Sequence, residues 1–211
     1  MIKADVDLSN QFGPARQQGM RPTCLAFTAS DLNAAAHLTG ELSVEFLCHH
    51  AASRTTGWQP NHGFTVDSIL HAVANPGQPV EAAYPYLTDT QGAPMRSPPA
   101  GLGQLFFRKA RFRNLTCAKV IQHVGAGEVV GVVVAVTASL YHPEDGIIAF
   151  DPYVVPNLYH ALVVVGLGTH TSSGERCVLV RNSWGVEWSS QGYAWMPEEH
   201  LTLHLIEGFL V

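Results

Sequence analysis

Charge is what this sequence has least of. Only 14% of its 211 residues are Asp, Glu, Lys or Arg, and the formal net charge is −5. Lysine and arginine total 12 and do not cluster, which excludes an electrostatic nucleic-acid binder, because neutralising a phosphate backbone takes a basic face. The one short basic run, Arg108 to Arg113, is interrupted by Ala110 and Phe112 and reads as the solvated face of a strand. Long apolar runs are missing too. The longest, 129–136 and 161–168, fall well short of the roughly 18 residues that a membrane span needs. The opening Met1-Ile-Lys-Ala-Asp-Val-Asp has no apolar stretch of the signal-peptide kind. The expectation is synthesis in the cytoplasm, no membrane partner, and any export by a route that needs no signal peptide.

Cysteine is scarce: Cys24, Cys48, Cys117 and Cys177 are the four. No C-x-x-C pair occurs, and His49-His50, although preceded by Cys48, are adjacent on a helix and cannot converge on one ion. Neither a metal nor an organic cofactor is expected. Repeats and low-complexity tracts are absent, and with a mean hydropathy of +0.09 the chain can bury a sizeable core.

Against these absences, one stretch stands out: Gln18-Gln-Gly-Met-Arg-Pro-Thr-Cys24. After it Leu25, Ala29, Leu32, Ala35 and Ala36 recur at helical spacing, and Gly40 follows as a stop. Cys24 is therefore expected in the first turn, where free N–H groups and the positive end of the helix dipole favour a thiolate. Taken alone, the stretch fits a buried structural cysteine better than a nucleophile. Far downstream, Tyr159-His160-Ala-Leu-Val-Val-Val-Gly166 sets a histidine at the head of a β-branched run. Val180-Arg-Asn182-Ser-Trp184-Gly-Val-Glu-Trp188 sets an asparagine beside tryptophans.

In these three ordered motifs the chain resembles the papain-like cysteine peptidases, over nearly its whole length. The histidine and asparagine follow the cysteine at a separation close to the papain-type spacing of about 130–150 residues. The Tyr84-Pro-Tyr-Leu run resembles the family as well. The resemblance implies a two-lobed α+β fold in a single domain over 1–211, with the active-site cleft between a helical lobe and a barrel-like antiparallel sheet. The helical lobe would cover about 15–103, and the sheet lobe about 104–211 together with the amino-terminal segment. It also implies a catalytic triad of Cys24, His160 and Asn182, an oxyanion hole formed by the Gln18 side chain and the Cys24 N–H, and Trp184 shielding the triad from water. In the family a Gly-Gly pair binds substrate backbone. Here Asn61-His62-Gly63-Phe64 keeps only the second glycine, so Gly63 is the candidate; Phe64, Val66 and Ala161 would wall the substrate pocket, His62 and Tyr159 would narrow the groove, and Trp184 is a substrate-binding candidate as well. Secreted relatives carry a disulfide-bonded cysteine three residues before the nucleophile; here that residue is Arg21, and Cys48, Cys117 and Cys177 are expected as buried thiols.

The expected elements follow the same order. Helices are anticipated from Cys24 to about Thr39, after Ser43 as N-cap, from Phe64 or Thr65 to Ala74, and over Cys117–Ala126. Alternating, valine-rich segments predict strands at Phe106–Leu115, Val129–Thr137, Gly146–Asp151, His160–Gly168, Arg176–Ser183 and Gly192–Met196. The implied activity is hydrolysis of peptide bonds in a protein or peptide substrate, through a thioester. Only 23 residues precede Cys24, so an enzyme of bacterial type without a prosegment is expected, restrained by narrow specificity or by a separate inhibitor or immunity protein, as in an interbacterial toxin. Two alternatives use the same residues differently: transamidation or deamidation through the same thioester, and a catalytically dead papain-like scaffold that binds protein.

Overall fold

The computed structural model describes residues 1–211. Contacts divide it into two compact units, Gln17–Arg111 with Val211, and Met1–Arg16 with Phe112–Leu210.

The first unit is helical. Helix α1 spans Cys24–His37, and ten of its residues, from Leu25 to Ala35, are buried. A helix buried almost all round needs small side chains where neighbours approach, and Ala26, Ala29, Ser30 and Ala34 supply them. It stops two residues sooner than the sequence suggests, because Leu38 rather than Gly40 takes the left-handed conformation (φ 50°). Helix α2, Val44–Ser53, starts where expected: the Ser43 hydroxyl accepts from the Phe46 N–H. Helix α3, Val66–Ala74, is capped the same way by Thr65, with Asp67 in its first turn. Two buried polar side chains of α1, Ser30 and Asn33, are tied across the unit through Gln78. Asn33 donates to Gln78 Oε1, and Gln78 Nε2 donates to the Ser30 hydroxyl, each bond close to 3 Å.

The second unit is a sheet. Strand β1 is Ile2–Asp7, β2 Phe112–Leu115, β3 Val130–Thr137, β4 Val154–His170, β5 Arg176–Arg181, β6 Tyr193–Pro197 and β7 Leu205–Leu210. The order is β2-β7-β3-β4-β5-β6, all pairs antiparallel, with β1 added along the far half of β4. The ladder is open, ending at β2 and β6. On β3 the side chains of Val130, Val132, Val134 and Val136 are buried while Val133 and Ala135 are not, the two-residue alternation of a strand with one covered face. Each such buried valine contributes about 1.5–3 kcal/mol. They pack with Val120 and Val124 of α4 (Cys117–Gly125) and Leu201 of α6 (Glu198–His204).

Three expectations need correction. Only Phe112–Leu115 of the anticipated Phe106–Leu115 strand is in the sheet; Phe106 instead makes an isolated bridge to Gln78. Gly146–Asp151 is not a strand, since Asp145 and Gly146 both have positive φ and only Ile147 forms bridges. The sequence reading also passed over α6 and β7, which form one continuous stretch whose pattern changes from helical to alternating without a breaker. Cys48, Cys117 and Cys177 are buried, and no cysteine is in a disulfide.

Candidate active site

Cys24 is the first residue of α1, partly exposed, after Thr23 as N-cap. The loop leading to it is held in an unusual way. Arg21, 4% exposed, donates from Nη1 to Glu45 Oε2 at 2.6 Å and to the Leu87 carbonyl at 2.9 Å, and its guanidinium lies 4.5 Å over the Tyr86 ring. Burial alone would lower the Arg21 pKa, but the hydrogen bond and charge of Glu45 outweigh it, so the net direction is upward. The Arg21 carbonyl accepts from Gln18 Nε2 at 2.8 Å and from the Thr23 N–H at 2.8 Å. The Tyr86 hydroxyl donates to the Gln18 carbonyl at 2.9 Å, which leaves it to accept from Thr23 Oγ1 at 2.7 Å. Gln18 is 7% exposed, so its amide is held by the protein more than by water. Gly63 lies beside this loop: a Cβ built on it would stand 3.6 Å from the Pro22 carbonyl oxygen. Trp58 donates to the Gly63 carbonyl and stacks on Phe64. His62 is exposed, and Phe64 and Val66 are half-buried.

In the sheet unit β4 carries His160, 5% exposed, and Asn182 follows β5 directly. His160 Nε2 and Asn182 Oδ1 are 2.7 Å apart. The Ser183 N–H donates to the same oxygen at 2.8 Å, which fixes which end of the amide faces the ring. An amide oxygen only accepts, so Nε2 carries the proton and Nδ1 is left with its lone pair. Burial pushes His160 down to about 4, against which the bond to Asn182 works upward. Trp184 lies 4.5 Å from the His160 ring. Tyr141, at the end of the single-turn helix α5 (Ala138–Tyr141), stacks on Trp184 with ring centroids 5.3 Å apart and the rings almost parallel. Alternation along β4 turns both neighbours of His160 to the face opposite its own, where Tyr159 is 56% exposed and Ala161 is 2% exposed in the ladder beside Val133.

The structure thus brings Asn182 and Trp184 onto His160, and Gln18 into the frame of the Cys24 loop. The sequence reading missed Arg21 as a structural partner, the hydroxyl of Tyr86, and Tyr141. Tyr86 sat inside a noticed motif. Arg21 and Tyr141 had no local signal, since their partners lie far along the chain. It also passed over the spacing of His200 and His204, four apart on α6, which a zinc site could use. Here their rings pack 4.7 Å apart, His200 reaches Thr137 and His204 bonds the Asp151 carbonyl. No group of three or more His, Cys, Asp or Glu is placed to hold a metal.

Comparison with known proteins points one way. The profile of the papain family cysteine proteases matches residues 3–206. Cysteine proteinase 1 of Dictyostelium discoideum is 26% identical over 202 residues, covering 87% of this chain and 57% of that protein. Procathepsin L of Rattus norvegicus is 30% identical over 191 residues, covering 85% and 55%. This chain therefore spans little more than half the length of these relatives. Among solved structures, the bromelain protease of Ananas comosus in complex with the E64 inhibitor superposes with a TM-score of 0.77 at 19% identity, over 97% of this chain and 96% of that one. Xylellain, a cysteine protease of Xylella fastidiosa, superposes at 0.75 with 17% identity, over 100% and 87%.

Proposed function

Because this chain belongs to the papain family of cysteine proteases, we propose that it hydrolyses peptide bonds with Cys24 as nucleophile and His160 as its base. The observation that supports this most strongly is the 2.7 Å contact of His160 Nε2 with Asn182 Oδ1, because it leaves the opposite ring nitrogen as the proton acceptor. In this reading Nδ1 takes the Cys24 proton, and the first turn of α1 favours the thiolate. The sulfur attacks the scissile carbonyl carbon. The resulting oxyanion accepts from the Gln18 side-chain amide and the Cys24 N–H. The tetrahedral species collapses, the C–N bond breaks, and the imidazolium returns its proton to the leaving amine. Water, deprotonated by His160, then cleaves the thioester and restores the thiol. Trp184 against the ring keeps bulk water from the bond to Asn182.

The reading extends to narrow specificity, supported by Tyr159, exposed next to His160, and by His62, exposed in the Gly63 loop. One experiment tests both parts. Proteins from cells producing the wild type or Cys24→Ala are compared for newly formed amino termini, and the purified wild type is treated with E-64. The expected result is a small set of cleavages that vanish with Cys24→Ala, and one E-64 adduct on Cys24. Cleavages that persist in Cys24→Ala would remove the nucleophile, and a broad spread of cleavages would remove the specificity.

A further inference from the structure

The residues around Arg21 form a frame that ordinary stability does not require. A charged pair with side chains 5% and 3% exposed is costly to desolvate, and an apolar pair of similar volume is often as stable. Here the pair is built into the loop that ends at Cys24. Glu45 on α2, the Leu87 carbonyl and the Tyr86 ring fix the guanidinium of Arg21. The fixed guanidinium sets the Arg21 backbone, whose carbonyl holds the Gln18 side-chain amide and the Thr23 N–H. Tyr86, packed edge-on against Phe27 of α1 at 4.8 Å, holds the Gln18 carbonyl and the Thr23 hydroxyl from the other side. Gly19, at φ 63°, lets the loop pass the Thr88 carbonyl, which a Cβ there would meet at 2.8 Å.

We infer that Arg21 is a positioning residue of the protease: anchored by Glu45 and Tyr86, its carbonyl aims the Gln18 amide that receives the oxyanion. The inference rests on the reading of Cys24 and Gln18 given above. It adds a part of the machinery that touches no substrate and acts through another residue. The geometry gives it a distinctive signature. Aiming a donor at the developing oxyanion affects the step in which charge forms, not substrate binding or formation of the thiolate.

The test is the double variant Arg21→Met with Glu45→Leu, which removes both charges together and so leaves neither buried alone. The expected result is a cooperative melt near that of the wild type, kcat lower by about 10- to 100-fold, KM little changed, and an unaltered rate of Cys24 alkylation by iodoacetamide. In a Gln18→Ala background the same two changes are expected to cost less than about twofold more, because the group they aim is gone. Wild-type kcat in the folded double variant overturns the inference, and so does a loss that multiplies in full on top of Gln18→Ala. If the double variant does not fold, Arg21→Lys decides. It keeps the charge opposite Glu45 but lacks the planar fork. A folded Arg21→Lys enzyme at least about threefold lower in kcat supports the inference, and one with wild-type kcat overturns it. Cys24→Ala and Gln18→Ala serve as controls: activity retained in both would sink the underlying site assignment, whereas their impairment beside a fully active Arg21 variant sinks the positioning role alone.

Discussion

At the scale of single residues, the decisive atom is Asn182 Oδ1. It accepts from His160 Nε2 and from the Ser183 N–H, so the amide cannot rotate without losing two bonds. The proposed mechanism needs the imidazole in one tautomer and one orientation, and this oxygen selects both. Asn182→Ala is expected to lower kcat by about 100-fold through misplacement of the ring, with Cys24 still present and alkylatable; steady-state kinetics on a cleaved peptide measures it. An unchanged kcat would mean that burial and Trp184 suffice to hold His160. The motif Val180-Arg-Asn182-Ser-Trp184 was legible in the sequence as a pattern of residue types. The 2.7 Å contact was not, because it joins β4 to the residue after β5 through the ladder between them.

At the scale of elements, the helices start where their own side chains say they do. Ser43 was readable as an N-cap because a cap bonds an N–H only three residues on, and the structure shows Thr65 capping α3 in the same way. Ser43 does more than cap: its hydroxyl donates to the Tyr84 carbonyl at 2.5 Å, tying the head of α2 to the Tyr84-Pro-Tyr-Leu run. Ser43→Ala removes both bonds at a site with no exposure, and the expected cost is about 1–2 kcal/mol in urea unfolding. A loss below about 0.5 kcal/mol would show that the Tyr84 contact contributes nothing net. Strand boundaries were harder. Residues 106–111 were read as the start of a strand, yet only a partner decides whether an extended segment joins a ladder, and β7 reaches no further than Phe112.

At the scale of the whole molecule, histidine sets the response to acid. His50, His160 and His200 are each pushed down to about 4, in every case chiefly by burial. Unfolded histidines titrate near 6.5, within about a unit. Between these values the unfolded chain holds more protons than the folded one, so stability rises with pH through the window. It is complete above the unfolded value and is lost as pH falls from there towards about 4. Melting temperatures taken from pH 7 down to 4 should fall through that window, and His200→Gln should flatten the slope by about one proton per molecule. A melting temperature that stays level down to pH 4 would show that these histidines protonate in the folded protein without cost.

The sequence by itself determined where α1, α2 and α4 begin, that β3, β4 and β5 are valine-rich strands, and which three segments bear a cysteine, a histidine and an asparagine in family order. All of these are written within a few neighbouring residues, by caps, periodicity and motif. Tertiary structure alone decided that Arg21 is paired with Glu45 while its carbonyl accepts from Gln18, that Tyr141 extends the Trp184 cluster, and that β1 lies along the far half of β4. The difference is physical. A buried ion pair, a stacked ring and a ladder register each need two distant segments at the same place, and no local spacing records that meeting.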